Sequence, residues 1–211
     1  MGGEIAPLPE IIPLCKKYNA RLMVDDAHSV GVLGKCGRGT ANYYGVTQDV
    51  DLIMGTFSKS FASLGGFIAG DEQVIHYIQH HARSLIFSAS MPAANVAACL
   101  AALDIMRSNP TLSERVLEIA EKMRVGYQAL GYDTGDSQTP VIPIIIGDDT
   151  KTFMMWRALF DAGVYTNPVI PPAVPPSKSL LRTSYMATHT DEQMDRVLAL
   201  FEQVGKEVGA I

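Results

Sequence analysis

The sequence has few cysteines, no long apolar run and no excess of positive charge, and each absence excludes a class of protein. Its three cysteines, Cys15, Cys36 and Cys99, are scattered and form no CxxC pair, which argues against a disulfide framework or a zinc site. The longest apolar stretches, such as Val141–Gly147, are far shorter than the ~18 residues of a membrane span. Seventeen Lys and Arg against 22 Asp and Glu give a formal charge of −5, which disfavours nucleic acid as a partner. We therefore expect a soluble protein of a reducing compartment, the cytoplasm.

The chain has a globular composition in which strand and helix patterns alternate. Hydrophobic residues make up 47% and charged residues 18%, and 211 residues are enough to bury a core. Short apolar runs predict strands, and helical spacing of apolar residues predicts helices. The predicted strands are 21–25, 51–57, 66–70, 141–146, 164–167 and 180–186, and the predicted helices are 8–19, 71–82, 91–107, 112–130, 151–162 and 191–208.

This alternation predicts an α/β fold in two parts. The turn residues Ser108, Asn109 and Pro110 divide the chain. In the first part, residues 1–109, buried strands linked through helices predict a mostly parallel sheet. The second part, residues 110–211, is predicted to be a smaller α+β domain, with a proline-rich loop over 168–176.

Residues suited to chemistry follow the first two predicted strands. Asp25 and His28 follow the first strand, and Thr56 and Lys59 follow the second. Ligands of open α/β sheets bind beyond the carboxyl ends of the strands, where the ends of neighbouring parallel strands lie together. We therefore expect an acid, an imidazole, a hydroxyl and an amine at one edge of the sheet.

Lys59 is the strongest candidate for a catalytic group. It lies between Phe57 and Phe61 in a segment that has no other charge. Desolvation there would lower the pKa of its ammonium and suit the amine to covalent chemistry with a carbonyl group. The alternative interpretation is a loop lysine whose ammonium extends into solvent.

The other strand-end residues suit a ligand with a ring and a phosphate. Asp25 ends an apolar strand, so we expect it to be partly buried, where a carboxylate needs a cationic or donor partner such as a protonated pyridine nitrogen. His28 could bond the same ring, and Thr56 could bind a phosphate. Alternatively, Asp25 and Thr56 are turn residues and His28 has a structural role.

Several segments, taken in order, carry a family resemblance that covers essentially the whole chain. They are Asp25-Asp26-Ala27-His28-Ser29, Gly37-Arg38-Gly39, Gly55-Thr56-Phe57-Ser58-Lys59, Gly65-Gly66, Phe87-Ser88-Ala89-Ser90-Met91-Pro92, Pro171-Pro172-Ala173-Val174-Pro175 and Leu181-Arg182-Thr183-Ser184. This set resembles the α-oxoamine synthase family, whose members are pyridoxal 5'-phosphate (PLP) enzymes of the aspartate-aminotransferase fold, PLP fold type I. The resemblance implies that residues 1–109 are the remainder of the large PLP-binding domain.

The resemblance implies a role for each strand-end residue. Lys59 is similar to the lysine that bonds covalently to PLP and later moves the α-proton of the substrate. Asp25 is similar to the partner of the pyridine nitrogen. His28 is similar to the histidine that bonds the phenolic oxygen of PLP and assists acyl transfer, and Thr56 to a phosphate ligand.

The resemblance also implies roles further along the chain. Ser88 and Ser90 lie in a segment that, in this family, reaches the phosphate of the neighbouring subunit, which implies a homodimer with shared active sites. Arg182 is similar to the arginine that binds the amino-acid carboxylate, a role that suits its planar fork; an ordinary strand-edge cation is the alternative. No metal site is expected, because His76 and His80 are better explained by a solvated helix face.

The family reaction is a decarboxylative condensation of an amino acid with an acyl-CoA, which releases CoA and CO2. Segments 56–60, 65–67, 154–159 and 187–190 are most similar to the bacterial serine palmitoyltransferase branch. That branch joins L-serine to a long-chain acyl-CoA and gives 3-ketosphinganine in sphingolipid biosynthesis. The glycine C-acetyltransferase and 8-amino-7-oxononanoate synthase branches share Asp25, His28 and Lys59 and stay open as alternatives, as does peripheral contact with a membrane.

Members of this family carry about a further domain of chain before the point where this sequence begins. We therefore expect residues 1–211 to be the C-terminal portion of a longer protein, with uncovered sheet edges and apolar faces. Alone it should be poorly stable and at best weakly active. A non-catalytic partner subunit of the same fold and a general nucleotide-binding domain are competing hypotheses, and the presence of Lys59 favours the enzyme.

Overall fold

The computed structural model describes all residues from 1 to 211, and they form two compact units. The first unit is Ala6–Glu114, and the second unit is Arg115–Ile211 together with Met1–Ile5. Each unit contains one three-stranded sheet with helices, which confirms the predicted α/β class. No helix of the chain combines the length and the apolar character that a membrane span needs.

The predicted elements of the first unit occur in the predicted order, together with two short helices, over 40–43 and 83–86, that were not predicted. The strand predicted over 66–70 has the predicted bounds, and the helix predicted from residue 91 begins two residues later, after Pro92. The elements are α1 (Leu8–Lys17), β1 (Met23–Asp25), α2 (Thr40–Tyr43), β2 (Leu52–Thr56), β3 (Gly66–Gly70), α3 (Glu72–His81), α4 (Arg83–Ile86) and α5 (Ala93–Ser108).

The sheet of the first unit is less parallel than the sequence predicted. Its strand order is β1-β2-β3, and β1 pairs with β2 in parallel, with Asp25 opposite Met54. β3, however, runs antiparallel to β2, with Thr56 opposite Gly66. The physical reason is the short connection over residues 57–65, because a parallel return would need a crossover of about a dozen residues or more.

The core of the first unit is small. It consists of Leu8 and Ile12 from α1, Val24 from β1, and Ala41 from α2. β1 was expected to be a buried strand of five residues, but it spans three, and only Val24 among them is buried. The first unit therefore leaves much of its apolar surface exposed.

The second unit is an antiparallel sheet with long helices. The helix predicted over 191–208 has the predicted bounds. It begins with a capping box between Thr190 and Gln193, and it ends at Gly209, which has the left-handed conformation. The elements are α6 (Thr111–Ala129), which begins just before the second unit, β4 (Val141–Gly147), α7 (Asp149–Asp161), β5 (Asn167–Val169), β6 (Ser179–Ser184) and α8 (Asp191–Val208).

The second strand of the second unit, β5, lies later in the chain than predicted. A strand was expected over 164–167 with an irregular loop from Pro168, whereas β5 includes Pro168. The sheet order is β4-β6-β5, so β5 is an edge strand. An edge position tolerates proline, because one side of the strand requires no N–H donor.

The core of the second unit is large and fully enclosed. Its sheet contributes Ile142, Ile144 and Leu181, and its helices contribute Tyr127 and Phe201, all with no exposed surface. The aromatic rings of Tyr127 and Phe201 meet edge to face, with centroids 4.8 Å apart. This core fixes β6 as the central strand of the sheet, which is the strand that carries Arg182.

Candidate active site

The carboxyl ends of β1 and β2 form one edge of the first unit. Their parallel register places Asp25 opposite Met54, and the N–H of Asp26 continues the ladder with a 2.8 Å bond to the carbonyl of Met54. The segments that follow the two strands therefore leave the sheet side by side. One carries Asp25 and His28, and the other carries Thr56 and Lys59, as predicted.

The segment after β1 is a tight turn. The Oδ1 atom of Asp25 accepts a 3.0 Å hydrogen bond from the N–H of Ala27, which orients the carboxylate. Asp25 and His28 are both exposed. The expected partial burial of Asp25 is therefore wrong for this chain, because only the preceding Val24 side chain turns into the core. Both side chains are accessible to a ligand.

The segment after β2 closes on itself through the hydroxyl of Thr56. Its Oγ1 atom donates to the carbonyl of Gly65 at 3.2 Å and lies 2.9 Å from Oγ of Ser58. The N–H of Phe57 also bonds the carbonyl of Gly65, at 2.9 Å. The result is a compact loop that presents hydroxyl groups at the end of the strand, an arrangement suited to an anion.

Lys59 lies at the tip of this loop. The rings of Phe57 and Phe61 flank it in sequence and contact each other edge to face at 5.1 Å. Lys59 itself is exposed, so the desolvation that the apolar neighbours predicted is not provided by the residues of this chain. Its amine is open to a small carbonyl compound.

A direct bond joins the two strand-end segments. The Oγ atom of Ser60, next to Lys59, donates a 2.9 Å bond to the carbonyl of Val30, two residues after His28. Gly31 allows this approach, since a Cβ atom at its position would lie 2.4 Å from Cβ of Ser60. The segments that carry His28 and Lys59 are therefore held in a fixed relation.

Ser88 and Ser90 lie in an exposed connection between α4 and α5. Ser88 donates its hydroxyl to the carbonyl of Ser84, on the preceding helix α4. The following residue, Met91, packs on the β2–β3 loop, because a Cβ atom at Gly65 would lie 2.5 Å from its sulfur. The structure thus attaches this segment to the loop of Lys59 through Met91, and not through either serine.

Arg182 lies in the second unit, on the central strand β6. It is half-buried, and its Nε atom is buried without a hydrogen-bond partner. Burial lowers the pKa of its guanidinium. A buried donor that lacks an acceptor is costly, so this position is suited to a ligand with a carboxylate.

Asp26 is a residue that the sequence reasoning missed. It is almost fully buried and bonds Ser29 and Thr40, whereas the adjacent Asp25 is exposed. Successive side chains of an extended segment point to opposite faces, so two consecutive acids after an apolar strand indicate one inward and one outward carboxylate. That signal was available in the sequence.

Comparisons with known proteins place these residues in a family. The model for aminotransferase class I and II matches residues 1–201. Serine palmitoyltransferases of Bacteriovorax stolpii and Sphingobacterium spiritivorum are 50% and 49% identical over 98% of this chain, which corresponds to 49% and 52% of those proteins. An 8-amino-7-oxononanoate synthase of Thermoanaerobacter pseudethanolicus is 40% identical over 100% of this chain and 53% of that protein. The chain spans about half the length of the curated relatives it matches.

Solved structures agree with this placement. A variant of serine palmitoyltransferase from S. paucimobilis, with a bound PLP–myriocin aldimine, superposes with a TM-score of 0.95 at 35% identity over 100% of this chain and 54% of that chain. The Sphingomonas wittichii serine palmitoyltransferase gives a TM-score of 0.94 at 35% identity over 100% of this chain and 53% of that chain. The fold is thus that of PLP-dependent aminotransferases, and the chain belongs to the aminotransferase class I and II family.

Proposed function

We propose that this chain carries the catalytic lysine of a PLP-dependent α-oxoamine synthase that condenses L-serine with a long-chain acyl-CoA, releasing CoA and CO2 to give 3-ketosphinganine. The observation that carries the proposal is the parallel pairing of β1 and β2, which brings the segments of Asp25, His28, Thr56 and Lys59 to one sheet edge. The serine palmitoyltransferases that are about 50% identical to this chain support the choice of reaction.

The donor set at this edge fits PLP. The exposed carboxylate of Asp25 suits a protonated ring nitrogen, and the imidazole of His28 suits the phenolic oxygen of the ring. The hydroxyls of Thr56 and Ser58, at the end of β2, suit the phosphate. The exposed amine of Lys59 suits covalent attachment to the cofactor carbonyl.

PLP, when bound, would act as the electron sink for the bonds that break at the α-carbon of the amino acid. The protein's residues would hold the reactants and move protons. The free amine of Lys59 would take the α-proton of the amino acid. His28 would donate a hydrogen bond at the acyl-transfer step, and the fork of Arg182 would hold the amino-acid carboxylate.

The assembly and location of the enzyme are part of the proposal. Ser88 and Ser90 would reach the phosphate site of the neighbouring subunit in a homodimer, and their exposure in the connection between α4 and α5 supports that role. The large domain would end at residue 109 and the small domain would span 110–211. We place the enzyme in the cytoplasm, in sphingolipid biosynthesis, with peripheral contact at a membrane where a lipid acyl-CoA is delivered.

A second candidate reaction is the formation of 8-amino-7-oxononanoate. It is favoured by the relatives with that activity, which are 40% to 42% identical to this chain over its whole length. Glycine C-acetyltransferase activity and a non-catalytic partner subunit are the remaining alternatives from the sequence. All the catalytic alternatives require Lys59, whereas the non-catalytic one does not.

Trapping of the cofactor tests the proposal. We would add PLP to the protein in the longest form that can be isolated, reduce with borohydride, and locate the pyridoxyl group by peptide mass. We expect the label on Lys59, its loss in Lys59→Arg, and its retention in Lys35→Arg, a matched exposed lysine of the same unit. A wild-type protein without label at Lys59 would leave only the non-catalytic subunit.

The product then separates the enzymes. PLP-loaded protein that has not been reduced would be given L-serine, L-alanine or glycine with a short-chain, a dicarboxylic or a long-chain acyl-CoA donor, and the products would be identified by mass. 3-Ketosphinganine is the expected product with L-serine and a long-chain donor. Formation of 8-amino-7-oxononanoate, or of an acetylated glycine product alone, would replace the proposed substrates.

A further inference from the structure

Asp26 is a buried carboxylate that the chemistry proposed above does not use. Only 1% of its surface is exposed, although it directly follows the exposed Asp25. Burial of a carboxylate is costly unless hydrogen-bond donors surround it. An apolar side chain would be cheaper to bury at this position but could not make directional bonds, so the contacts of Asp26 indicate what the carboxylate does.

Both carboxylate oxygens of Asp26 accept hydrogen bonds from a later part of the chain. The N–H of Thr40 lies 3.0 Å from Oδ2 and 3.2 Å from Oδ1, and the hydroxyl of Ser29 donates to Oδ1. The hydroxyl of Thr40 in turn donates to Oγ of Ser29 at 2.9 Å. Asp26, Ser29 and Thr40 therefore form a closed buried network that ties both ends of the loop 30–39 to the end of β1.

The backbone of Asp26 is fixed as firmly as its side chain. Its N–H bonds the carbonyl of Met54 on β2 at 2.8 Å. Its carbonyl accepts from the N–H groups of Ser29 and Val30, each at 3.0 Å. His28 thus lies in a turn whose two flanking residues, Asp26 and Ser29, are bonded to each other through both backbone and side chains.

The packing between Asp26 and Gly39 leaves no room for a larger side chain at either residue. Gly39 has φ of +95°, and a Cβ atom there would lie 2.2 Å from Oδ2 of Asp26. The carboxylate therefore lies directly against the backbone of the loop, and a longer side chain would displace it. Asp26 holds one geometry of the turn and the loop together.

We propose that Asp26 is a positioning residue, which fixes the turn bearing His28 and thereby sets where the imidazole meets the reactants. The inference rests on the proposed function, since it assigns the consequence of this network to the acyl-transfer role of His28. Asp26 itself is buried, and its carboxylate bonds Ser29 and Thr40, so its effect on the reaction would pass through His28. Its removal should affect catalysis through His28 and leave covalent attachment at Lys59 intact.

The experiment compares four variants in the longest form of the protein. Asp26→Ala removes the whole network, Asp26→Asn keeps the shape but replaces one acceptor with a donor, and Ser29→Ala removes one donor. The control is Asp49→Asn, since Asp49 is an exposed aspartate of the same unit that pairs with Lys16. Hydrogen exchange of the protein without PLP, borohydride labelling of Lys59 and steady-state kinetics are measured for each.

We expect amide exchange over residues 27–40 to rise about tenfold or more in Asp26→Ala, with smaller rises in Asp26→Asn and Ser29→Ala. Exchange over 52–56 and 66–70 should match that of Asp49→Asn, and labelling of Lys59 should be retained. Because a small misplacement of a catalytic group is costly, kcat should fall about tenfold to a hundredfold with little change in KM for the amino acid.

A double-mutant cycle tests whether Asp26 acts through His28. In a His28→Ala background, Asp26→Ala should lower kcat little further, because the group that it positions is already gone. Independent losses that multiply, or increased exchange throughout residues 6–114, would overturn the proposal in favour of a purely structural role. Unchanged exchange over 27–40 would overturn it as well.

The proposed function and the positioning role of Asp26 can be rejected separately. Wild-type protein that takes no label at Lys59 would reject the proposed function, whatever Asp26 does to hydrogen exchange. If wild-type protein takes the label at Lys59, but Asp26→Ala leaves the kcat of the unreduced enzyme unchanged, the positioning role alone is rejected. Asp26→Asn guards against a variant that merely fails to fold, since it preserves the volume of the side chain.

Discussion

The two units of this chain differ most in how they bury their apolar residues. In the second unit, Leu181 of the sheet and Phe201 of α8 have no exposed surface, and the core is continuous around them. In the first unit, α5 buries only Cys99, while Leu100 and Phe87 are 58% and 78% exposed. The proposed catalytic lysine, Lys59, belongs to the unit with the smaller core. Stability and chemistry are thus distributed unequally along this sequence.

The largest expected effect tests the difference in core burial between the two units. Phe201→Ala should destabilise the second unit by about 3–5 kcal/mol, since it removes a fully buried ring. Leu100→Ala, on the exposed surface of α5, should change the free energy of unfolding by no more than about 0.5 kcal/mol.

The single tryptophan makes this measurement possible. Trp156 lies on α7 of the second unit, so urea unfolding followed by its fluorescence reports that unit, while circular dichroism follows the whole chain. Equal losses for Phe201→Ala and Leu100→Ala would mean that the exposed face of α5 is as important to stability as the enclosed core.

An alkaline titration tests the same difference between the units, because the buried tyrosine hydroxyls lie in the second unit. Tyr127 lies 2.9 Å from Tyr185, whose hydroxyl donates to Thr183 at 3.1 Å, and Thr183 donates to the carbonyl of Ile142. The order of donors makes Tyr127 the donor to Tyr185. Burial raises the pKa of Tyr185 to about 12 and the pKa of Tyr127 well above its ordinary value.

The sign of the pH dependence follows from these raised pKa values. The unfolded chain loses its tyrosine protons near pH ~10, whereas the folded unit retains them. The free energy of unfolding should therefore fall as pH rises above about 10, by about 1.4 kcal/mol per pH unit for each tyrosine.

The control for the alkaline titration is Tyr185→Phe. It should be less stable at neutral pH, because Tyr127 loses its acceptor, but its stability should depend less steeply on pH. The urea midpoint of Trp156 fluorescence across this range is the measurement, and a midpoint that does not move between about pH 9 and pH 11 would contradict the prediction.

Apart from the Leu100→Ala comparison, the smallest expected effects come from one helix cap in each unit. Asp71 accepts a bond from the N–H of Gln73 at the start of α3, and Thr190 accepts one from Gln193 at the start of α8. Each substitution by alanine should cost about 1 kcal/mol. Only Thr190→Ala should shift the Trp156 transition, if the units unfold separately. A shift of that transition by Asp71→Ala would mean that the two units unfold as one.

Much of the fold was predictable, because its signals are local. The bounds of α8 follow from Thr190 and Gly209, and β3 was placed at its observed residues. The orientation of β3 and the position of β5 were not predicted, because both depend on how strands pair over distance. Pro168 appeared to end a strand, but an edge position makes proline acceptable there.

For the candidate site, the placement of the strand-end segments was predictable from the sequence. The segments of Asp25 and Lys59 lie side by side, as the order of strand ends implied. Their roles, with those of Thr56, Ser88 and Arg182, remain predictions that the trapping experiment and kinetics address. The buried state of Asp26 was missed, although the alternation of side chains along an extended segment places it on the same face as Val24.

The sequence by itself determined the family, the order of the elements and the residue types at each strand end, since these depend on a few adjacent residues at a time. The tertiary structure alone decided that Asp26 bonds Thr40, how Tyr127 reaches Tyr185 across 58 residues, and that Arg182 has a buried nitrogen without a partner. Burial and hydrogen-bond partners arise from chain segments that are distant in sequence, and only folding brings those segments together.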